Sequence, residues 1–187
     1  MKKSKPKPLT SENIPEEWEM RFIENAARKK GKRYLLLIKI LKGLGFRGGE
    51  AVHCRKNWVF SSDGNVNIKI PKLMPCSCPA CAKEIWHKIR EPKTKEIIGK
   101  QLYKPAHHWA PKTIKGARVL FVPPEVNGLL SSYFKTHKKM MEIYPNRFCI
   151  YRMIKEIEKD LHGKITHKLF PYTFRGYYCN LLDTKGF

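Results

Sequence analysis

Apolar residues recur at helical spacing in three stretches, residues 15–30, 33–44 and 150–161. This spacing predicts three helices, each with a buried face. The second stretch, RYLLLIKILKGL, is apolar nearly all round, which predicts a helix at the centre of the core. Pro15 near the start of the first stretch and Gly163 just beyond the third are typical of helix boundaries. The predicted inward face of the first helix consists of Trp18, Phe22, Ile23 and Ala26.

Strand patterns occupy the middle of the chain. Residues 58–60 and 66–70 flank an Asp-Gly pair that favours a tight turn, so this segment predicts a β-hairpin. Residues 117–122 predict a third strand, and residues 125–136 a further helix. The order of these elements predicts a mixed α+β fold, mainly α, in which a helical core carries a small antiparallel sheet.

A length of 187 residues predicts one domain. Residues 73–110 interrupt this predicted order of elements between the second and third strands. They are rich in proline, cysteine, lysine and histidine and show no clear period. We therefore expect a cysteine-rich insertion in the sheet of a single domain.

The charge of the chain is strongly one-sided. Lysine and arginine number 38 against 16 acidic residues, a formal net charge of +22. A surface of this kind favours polyanions, and nucleic acid is the partner that gains most from counterion release. A basic protein kept soluble by its charge is the alternative interpretation.

Several features indicate an intracellular protein. No apolar run is long enough to span a bilayer, so no membrane contact is expected. Residues 1–8 are basic and lack the apolar region of a secretory signal, so we expect a flexible arm. We expect the chain in the cytoplasm, associated with the nucleoid. Two of the six cysteines, Cys149 and Cys179, fall in helical patterns and are predicted to lie in the core.

An arginine follows the central helix directly, in the sequence Gly45-Phe46-Arg47, with Glu50 three positions later. Glycine lets the backbone turn sharply, so the Arg47 side chain is expected to point off the helix end. Arg47 and Glu50 can alternatively form only a local helix-capping pair. The segment resembles the first-arginine box of tyrosine recombinases, the phage-integrase family.

A second arginine lies in the sequence Pro171-Tyr172-Thr173-Phe174-Arg175. Proline in a first turn is typical of a helix start, and helix N-termini attract phosphate. The segment resembles the His-x-x-Arg motif of the same family, with Arg175 as the second arginine. Tyr172 stands at the histidine position, and His167 is the alternative.

Residues 111–118, PKTIKGAR, complete the resemblance. They resemble the hairpin that delivers a catalytic lysine in this family, especially in integrases of archaeal plasmids and viruses. Lys112 is the expected lysine and Lys115 the alternative. A solvated turn lysine is the ordinary interpretation in so basic a chain.

The resemblance implies part of a site-specific recombinase that cleaves and rejoins DNA through a phosphotyrosine. Arg47 and Arg175 would hold the phosphate, Lys112 would protonate the leaving oxygen, and Tyr172 or His167 would assist. The resemblance implies no cofactor for this chemistry. Its partner is double-stranded DNA, with self-association on DNA as a further expectation.

The family's nucleophilic tyrosine lies a few tens of residues beyond the second arginine, whereas residues 176–187 alone follow Arg175 here. Tyr177 and Tyr178 are too close to Arg175 for that role and are expected to pack their helix. We therefore expect residues 1–187 to form a C-terminally truncated catalytic domain that does not cleave DNA alone. A non-catalytic DNA-binding protein or integrase remnant is the alternative, and a zinc-dependent RNA-binding protein or nuclease is a further one.

Three cysteines crowd the predicted insertion, Cys76, Cys78 and Cys81. A Cys-x-x-Cys spacing lets two thiolates reach one zinc ion. We predict a structural Zn²⁺ held by these three residues and His87. The other candidates for the fourth ligand are His107, His108 and Cys54. Reduced cysteines in a loop are the alternative interpretation.

Overall fold

The computed structural model describes residues 13–113 and 116–184. The predicted N-terminal arm and Lys115 lie outside these ranges. The chain divides into two compact units. The first comprises the chain up to Ile68 and from Leu120 onward, and the second is Lys69–Val119.

Helices dominate the first unit. Its described α-helices are α1 Glu17–Lys30, α2 Lys32–Leu44, α3 Gly48–His53, α4 Pro124–Phe134, α5 Arg147–Asp160 and α6 Pro171–Thr184. Helix α2 packs against α1, α4 and α6, and α5 contacts α1 and α6. The apolar residues of α2 are almost fully buried, which confirms the predicted central helix. No helix among the described residues combines the length and the apolar character needed to cross a membrane.

The inward face of α1 differs from the prediction. Met20, Ile23 and Ala27 are buried, whereas Trp18 and Phe22 are 46% and 45% exposed. The two exposed rings instead meet edge to face on the outside of the helix, with centroids 6.0 Å apart. The prediction was wrong for these two residues because a broad apolar stripe does not show which edge of it is covered.

Two cysteines also differ from the prediction. Cys149, in the first turn of α5, is only partly buried, and Cys179, on α6, is exposed. The core-facing positions of these helices are taken by larger side chains, including Met153 on α5 and Phe174 on α6. The predicted core placement of both thiols is therefore wrong.

The described β-strands are β1 Val59–Ser62, β2 Asn65–Ile70, β3 Met74–Pro75, β4 Ile85–Arg90, β5 Ile97–Lys104, β6 His108–Trp109 and β7 Arg118–Phe121. Strands β1 and β2 form the predicted antiparallel hairpin. Its turn residues Asp63 and Gly64 both have positive φ, 53° and 74°. Strand β7 joins this pair in the order β1-β2-β7. The mixed fold with a small antiparallel sheet is thus confirmed.

The second unit contains two short antiparallel pairs, β3 with β6 and β4 with β5. The β4–β5 hairpin was not predicted. Its strand β4, IWHKIR, has no strict apolar-polar alternation, and all six of its residues are exposed.

Candidate functional site

A left-handed glycine ends the central helix at the first arginine box. Gly45 has φ 57° and ψ 30°, and it caps α2. A Cβ added here would lie 2.3 Å from the Tyr178 ring on α6. Both the backbone conformation and the close approach of α6 therefore require glycine. The turn brings the chain from α2 into α3, with Arg47 at its end.

Arg47 is the residue that caps α3. Its backbone N–H donates to Glu50 Oε2 at 2.8 Å, and its Nη1 donates to Glu50 Oε1 at 3.1 Å. The Glu50 side chain is 2% exposed and the Arg47 side chain 23%. The buried carboxylate thus holds the guanidinium in place while part of it reaches solvent. Arg47 therefore caps α3 together with Glu50 and also keeps part of its guanidinium exposed, so the two interpretations of this segment are compatible.

Arg175 reaches the same turn from α6. Its Nη1 donates to the Gly45 carbonyl at 2.7 Å. Gly45 is two positions before Arg47, so the two predicted arginines meet at one turn although they lie far apart in sequence. Arg175 stands in the second turn of α6, and Pro171 is the first residue of that helix, as predicted.

A third arginine, Arg147, lies beside this turn and was not predicted from the sequence. A Cβ added at Gly48 would lie 4.0 Å from Arg147 Cγ and 3.9 Å from Pro171 Cβ. The N-terminal ends of α5 and α6 therefore both approach the start of α3. Nothing around Arg147 in the sequence marks it, because its role depends on where α5 begins. We name residues Gly45–Gly49 together with Arg147 and Arg175 the arginine turn.

The other predicted catalytic residues, Tyr172, Lys112 and His167, lie in different segments of the chain. Tyr172 lies in the first turn of α6 and is 52% exposed. Lys112 is exposed in the irregular segment between β6 and β7. His167 donates from Nδ1 to the fully buried carboxylate of Glu19 at 2.6 Å. This bond gives His167 a structural role in joining the segment before α6 to α1.

Glu19 is the centre of that contact. Burial opposes its ionisation, but hydrogen bonds from the Thr166 and Glu16 backbone N–H groups and from His167 outweigh burial. The pKa of the Glu19 carboxyl is therefore lowered. Its Oε1 also accepts from the Thr166 hydroxyl at 3.0 Å.

The three cysteines of the second unit form a tight knuckle. Cys76 N–H donates to the His107 carbonyl at 2.8 Å, His107 N–H to the Cys81 carbonyl at 2.9 Å, and Cys81 N–H to the Cys78 carbonyl at 2.9 Å. These backbone hydrogen bonds orient the three cysteine side chains toward one another. The thiols are buried, and burial together with the neighbouring thiols raises the pKa of Cys81.

Cys76, Cys78 and Cys81 can hold a metal. Their Sγ atoms lie within 4.8 Å of one another, and all three residues are buried. A cluster of cysteines at this spacing is suited to a metal such as zinc.

His53, the last residue of α3 in the first unit, is also buried. Its Nδ1 donates to the Gly49 carbonyl at 2.7 Å. Burial, with Arg55 and Arg147 nearby, lowers the pKa of His53 to about 4.

A buried ammonium group lies behind the knuckle. Lys104 is 3% exposed, and its Nζ donates to the carbonyls of Cys81, Lys83 and Pro105 at 3.1, 2.5 and 3.1 Å. No carboxylate of residues 13–113 or 116–184 forms an ion pair with it. A buried cation is stabilised by nearby negative charge, and a thiolate-rich metal centre supplies such charge.

The predicted fourth ligand, His87, lies elsewhere. It is exposed on β4, and its ring stacks on Tyr103 at a centroid distance of 4.0 Å. His108 Nδ1 bonds to the Ala106 carbonyl. Cys54, in the first unit, is a buried free cysteine.

Comparison of the chain with protein-family models, with curated proteins and with solved structures finds no match.

Proposed function

We propose that the chain binds double-stranded DNA and holds a backbone phosphate at the arginine turn, as the catalytic domain of a tyrosine recombinase does. The observation that carries this proposal is the 2.7 Å hydrogen bond from Arg175 Nη1 to the Gly45 carbonyl. It brings the second predicted arginine to the turn that presents the first.

The charges at the arginine turn suit a phosphate. Arg47, Arg147 and Arg175 contribute three guanidinium groups, and Glu50 is the carboxylate paired with one of them. Guanidinium groups offer planar forks of donors that match phosphate oxygens. The formal charge of +22 adds a long-range attraction to nucleic acid.

In the recombinase mechanism Arg47 and Arg175 stabilise the charge that develops on the attacked phosphate. Tyr172, exposed at the start of α6, would donate a hydrogen bond, and the resemblance assigns protonation of the leaving oxygen to Lys112. Tyr177 has a different task. Its hydroxyl bonds to Glu17, and burial together with that carboxylate raises the pKa of Tyr177, which makes it a poor nucleophile.

The test of DNA binding compares Arg47→Gln with Arg28→Gln by fluorescence anisotropy on a labelled duplex across a salt series. Arg28 is an exposed residue of α1, so its variant removes the same charge away from the turn. We expect Arg47→Gln to weaken binding roughly tenfold and Arg28→Gln to change it far less. Equal losses for both variants would contradict a specific phosphate site.

The recombinase chemistry needs its own test. A nicked duplex that traps a phosphotyrosine intermediate is incubated with the chain and examined by denaturing electrophoresis. We expect no covalent adduct from this chain, because Tyr177 is a poor nucleophile and no other tyrosine is assigned to the attack. An adduct that disappears in Arg47→Gln but not in Arg28→Gln would contradict this expectation and show that the chain supplies its own nucleophile. An adduct formed through Tyr177 would contradict the assignment of that residue.

We further propose that Cys76, Cys78 and Cys81 bind one structural Zn²⁺, with a histidine as the fourth ligand. Three thiolates and one imidazole complete a tetrahedral shell, which is typical of closed structural sites. The Lys104 ammonium behind the knuckle balances the negative charge that three thiolates give to the centre. The β4–β5 hairpin next to the knuckle buries almost none of its residues, so a metal supplies stabilisation that a core does not.

Elemental analysis of protein purified without chelator tests this proposal, with Co²⁺ substitution as a second measurement. We expect about one zinc per chain and a tetrahedral thiolate spectrum with cobalt. Cys78→Ser should abolish both, and Cys179→Ser, which removes an exposed thiol outside the cluster, should change neither. Protein without bound metal, or a cobalt spectrum without thiolate bands, would contradict the proposal.

A further inference from the structure

The β4–β5 hairpin exposes nearly all of its residues, including large apolar ones. Every residue of β4 and five of the eight in β5 are exposed. Trp86 is 51% exposed and Ile98 64%. From Ile85 to Lys104 the chain carries six basic and two acidic side chains. An exposed, basic strand pair with an aromatic residue is a typical nucleic-acid contact surface.

One patch on this hairpin combines an indole ring with two like charges. Lys88 lies directly opposite Lys100 in the antiparallel register, and Trp86 lies opposite Leu102. Residues two apart on a strand share a face, so Trp86 and both lysines lie together. The same three side chains line one shallow surface depression. We name Trp86, Lys88 and Lys100 the tryptophan-lysine patch.

The pairing of Lys88 with Lys100 is electrostatically unfavourable unless an anion lies between their ammonium groups. Directly opposed like charges destabilise a strand pair. Neither lysine forms an ion pair with a carboxylate of residues 13–113 or 116–184. Glu84 accepts from Trp86 Nε1 at 3.0 Å, and Glu91 accepts from the Thr94 hydroxyl. A bound phosphate between the two ammonium groups would remove the repulsion.

The Trp86 indole is exposed and fixed in orientation, which favours stacking. Its N–H donates to Glu84, which fixes the ring on the hairpin surface. An exposed and oriented indole offers its face to another planar group without a large loss of side-chain freedom.

We propose that the tryptophan-lysine patch binds single-stranded nucleic acid, with an unpaired base stacked on Trp86 and the adjoining phosphate between Lys88 and Lys100. Nucleotides provide both partners at neighbouring positions, whereas free phosphate would leave the indole exposed. Paired bases inside a duplex do not offer a free face for stacking. The patch therefore favours an unpaired strand, and it acts independently of the arginine turn.

The experiment measures binding of the full chain to a fluorescein-labelled oligothymidylate and to a duplex of the same length. The variants are Trp86→Ala, Trp86→Phe and the pair Lys88→Gln with Lys100→Gln. The controls are Trp18→Ala, which removes another exposed indole, and Lys93→Gln, which removes an exposed lysine of the same hairpin. Zinc content and thermal unfolding of each variant verify its fold.

Trp86→Ala should weaken oligothymidylate binding about tenfold, and Trp86→Phe should restore most of the loss because phenylalanine still stacks. The double lysine variant should weaken binding and reduce its salt dependence, while both controls stay within about twofold. Duplex binding should depend on Arg47 and little on Trp86. The proposal would be overturned if Trp86→Ala left the affinity for oligothymidylate unchanged, or if Trp18→Ala lowered that affinity equally. It would also be overturned if Trp86→Ala lowered the affinity for the duplex by the same factor. Trp86-dependent binding to anionic lipid vesicles that exceeds binding to the oligonucleotide would also overturn it.

Discussion

Arg175 donates a 2.7 Å hydrogen bond to the carbonyl of Gly45, the left-handed residue that ends the central helix. This bond joins α6 to the turn that carries Arg47. Because Gly45 O would otherwise be an unsatisfied carbonyl of a helix end, the arginine stabilises the turn as well as the charge arrangement there. Structure and proposed phosphate binding therefore depend on the same few residues.

Gly45→Ala should destabilise the protein by roughly 1–3 kcal/mol or more, because the new Cβ would enter the Tyr178 ring and the φ of 57° is unfavourable for alanine. Chemical denaturation measures the change. Gly128→Ala is the matched control, since a Cβ there meets nothing within 4 Å and α4 gains a better helix former. Equal stability changes in the two variants would contradict the close packing of α6 on the turn.

Acid should weaken the fold partly through Glu19. Its pKa is lowered in the folded chain, so the ionised carboxyl stabilises the fold above the unfolded pKa of about 4.3. That contribution is lost as the pH falls through the lower folded pKa. Glu19→Gln should cost about 1–3 kcal/mol at neutral pH and flatten the acid side of the stability profile. Unfolding at a series of pH values measures both effects, and Glu125→Gln, at an exposed position, should leave the profile unchanged.

Lys104→Met should weaken zinc affinity roughly tenfold, because it removes the buried positive charge behind the three thiolates. Competition with a chromophoric chelator measures the affinity. Lys93→Met removes an exposed lysine and should have no effect. A Lys104→Met protein with unchanged zinc affinity would show that the ammonium group serves only to bind the three carbonyls.

Removal of zinc should loosen the second unit and spare the helices. A strong chelator is expected to increase amide hydrogen exchange within Lys69–Val119 while the far-ultraviolet circular dichroism of α1–α6 persists. Loss of the helical signal on chelation would mean that the metal stabilises the whole chain.

The helical elements were predictable because their buried faces leave a period in the sequence. Helix α2 is the clearest case, since every leucine and isoleucine between Leu36 and Leu44 is buried. The end of α2 and the start of α6 were predictable because Gly45 and Pro171 mark them. The resemblance implied that Arg47 and Arg175 hold one phosphate, whereas the contact of Arg175 with the Gly45 carbonyl was not predicted, because it depends on tertiary packing that no local pattern encodes.

Two features of the second unit left no sequence signal. His87 is close to the cysteines in sequence, but the β4–β5 hairpin carries it to an exposed position, where its ring stacks on Tyr103. That hairpin itself escaped prediction because neither of its faces is covered, so no apolar alternation was required. In both cases the deciding information is the tertiary position of a residue and not its neighbours in sequence.

The most direct test of the phosphate site is a double-mutant cycle of duplex affinity with Arg47→Gln, Arg175→Gln and the double variant. If both arginines hold one phosphate, removing the second after the first should cost less than removing it alone. We expect a coupling energy of about 0.5–3 kcal/mol, with the thermal stability of each variant measured alongside. Losses that add within about 0.3–0.5 kcal/mol would mean that the two arginines act at separate places and would contradict the account.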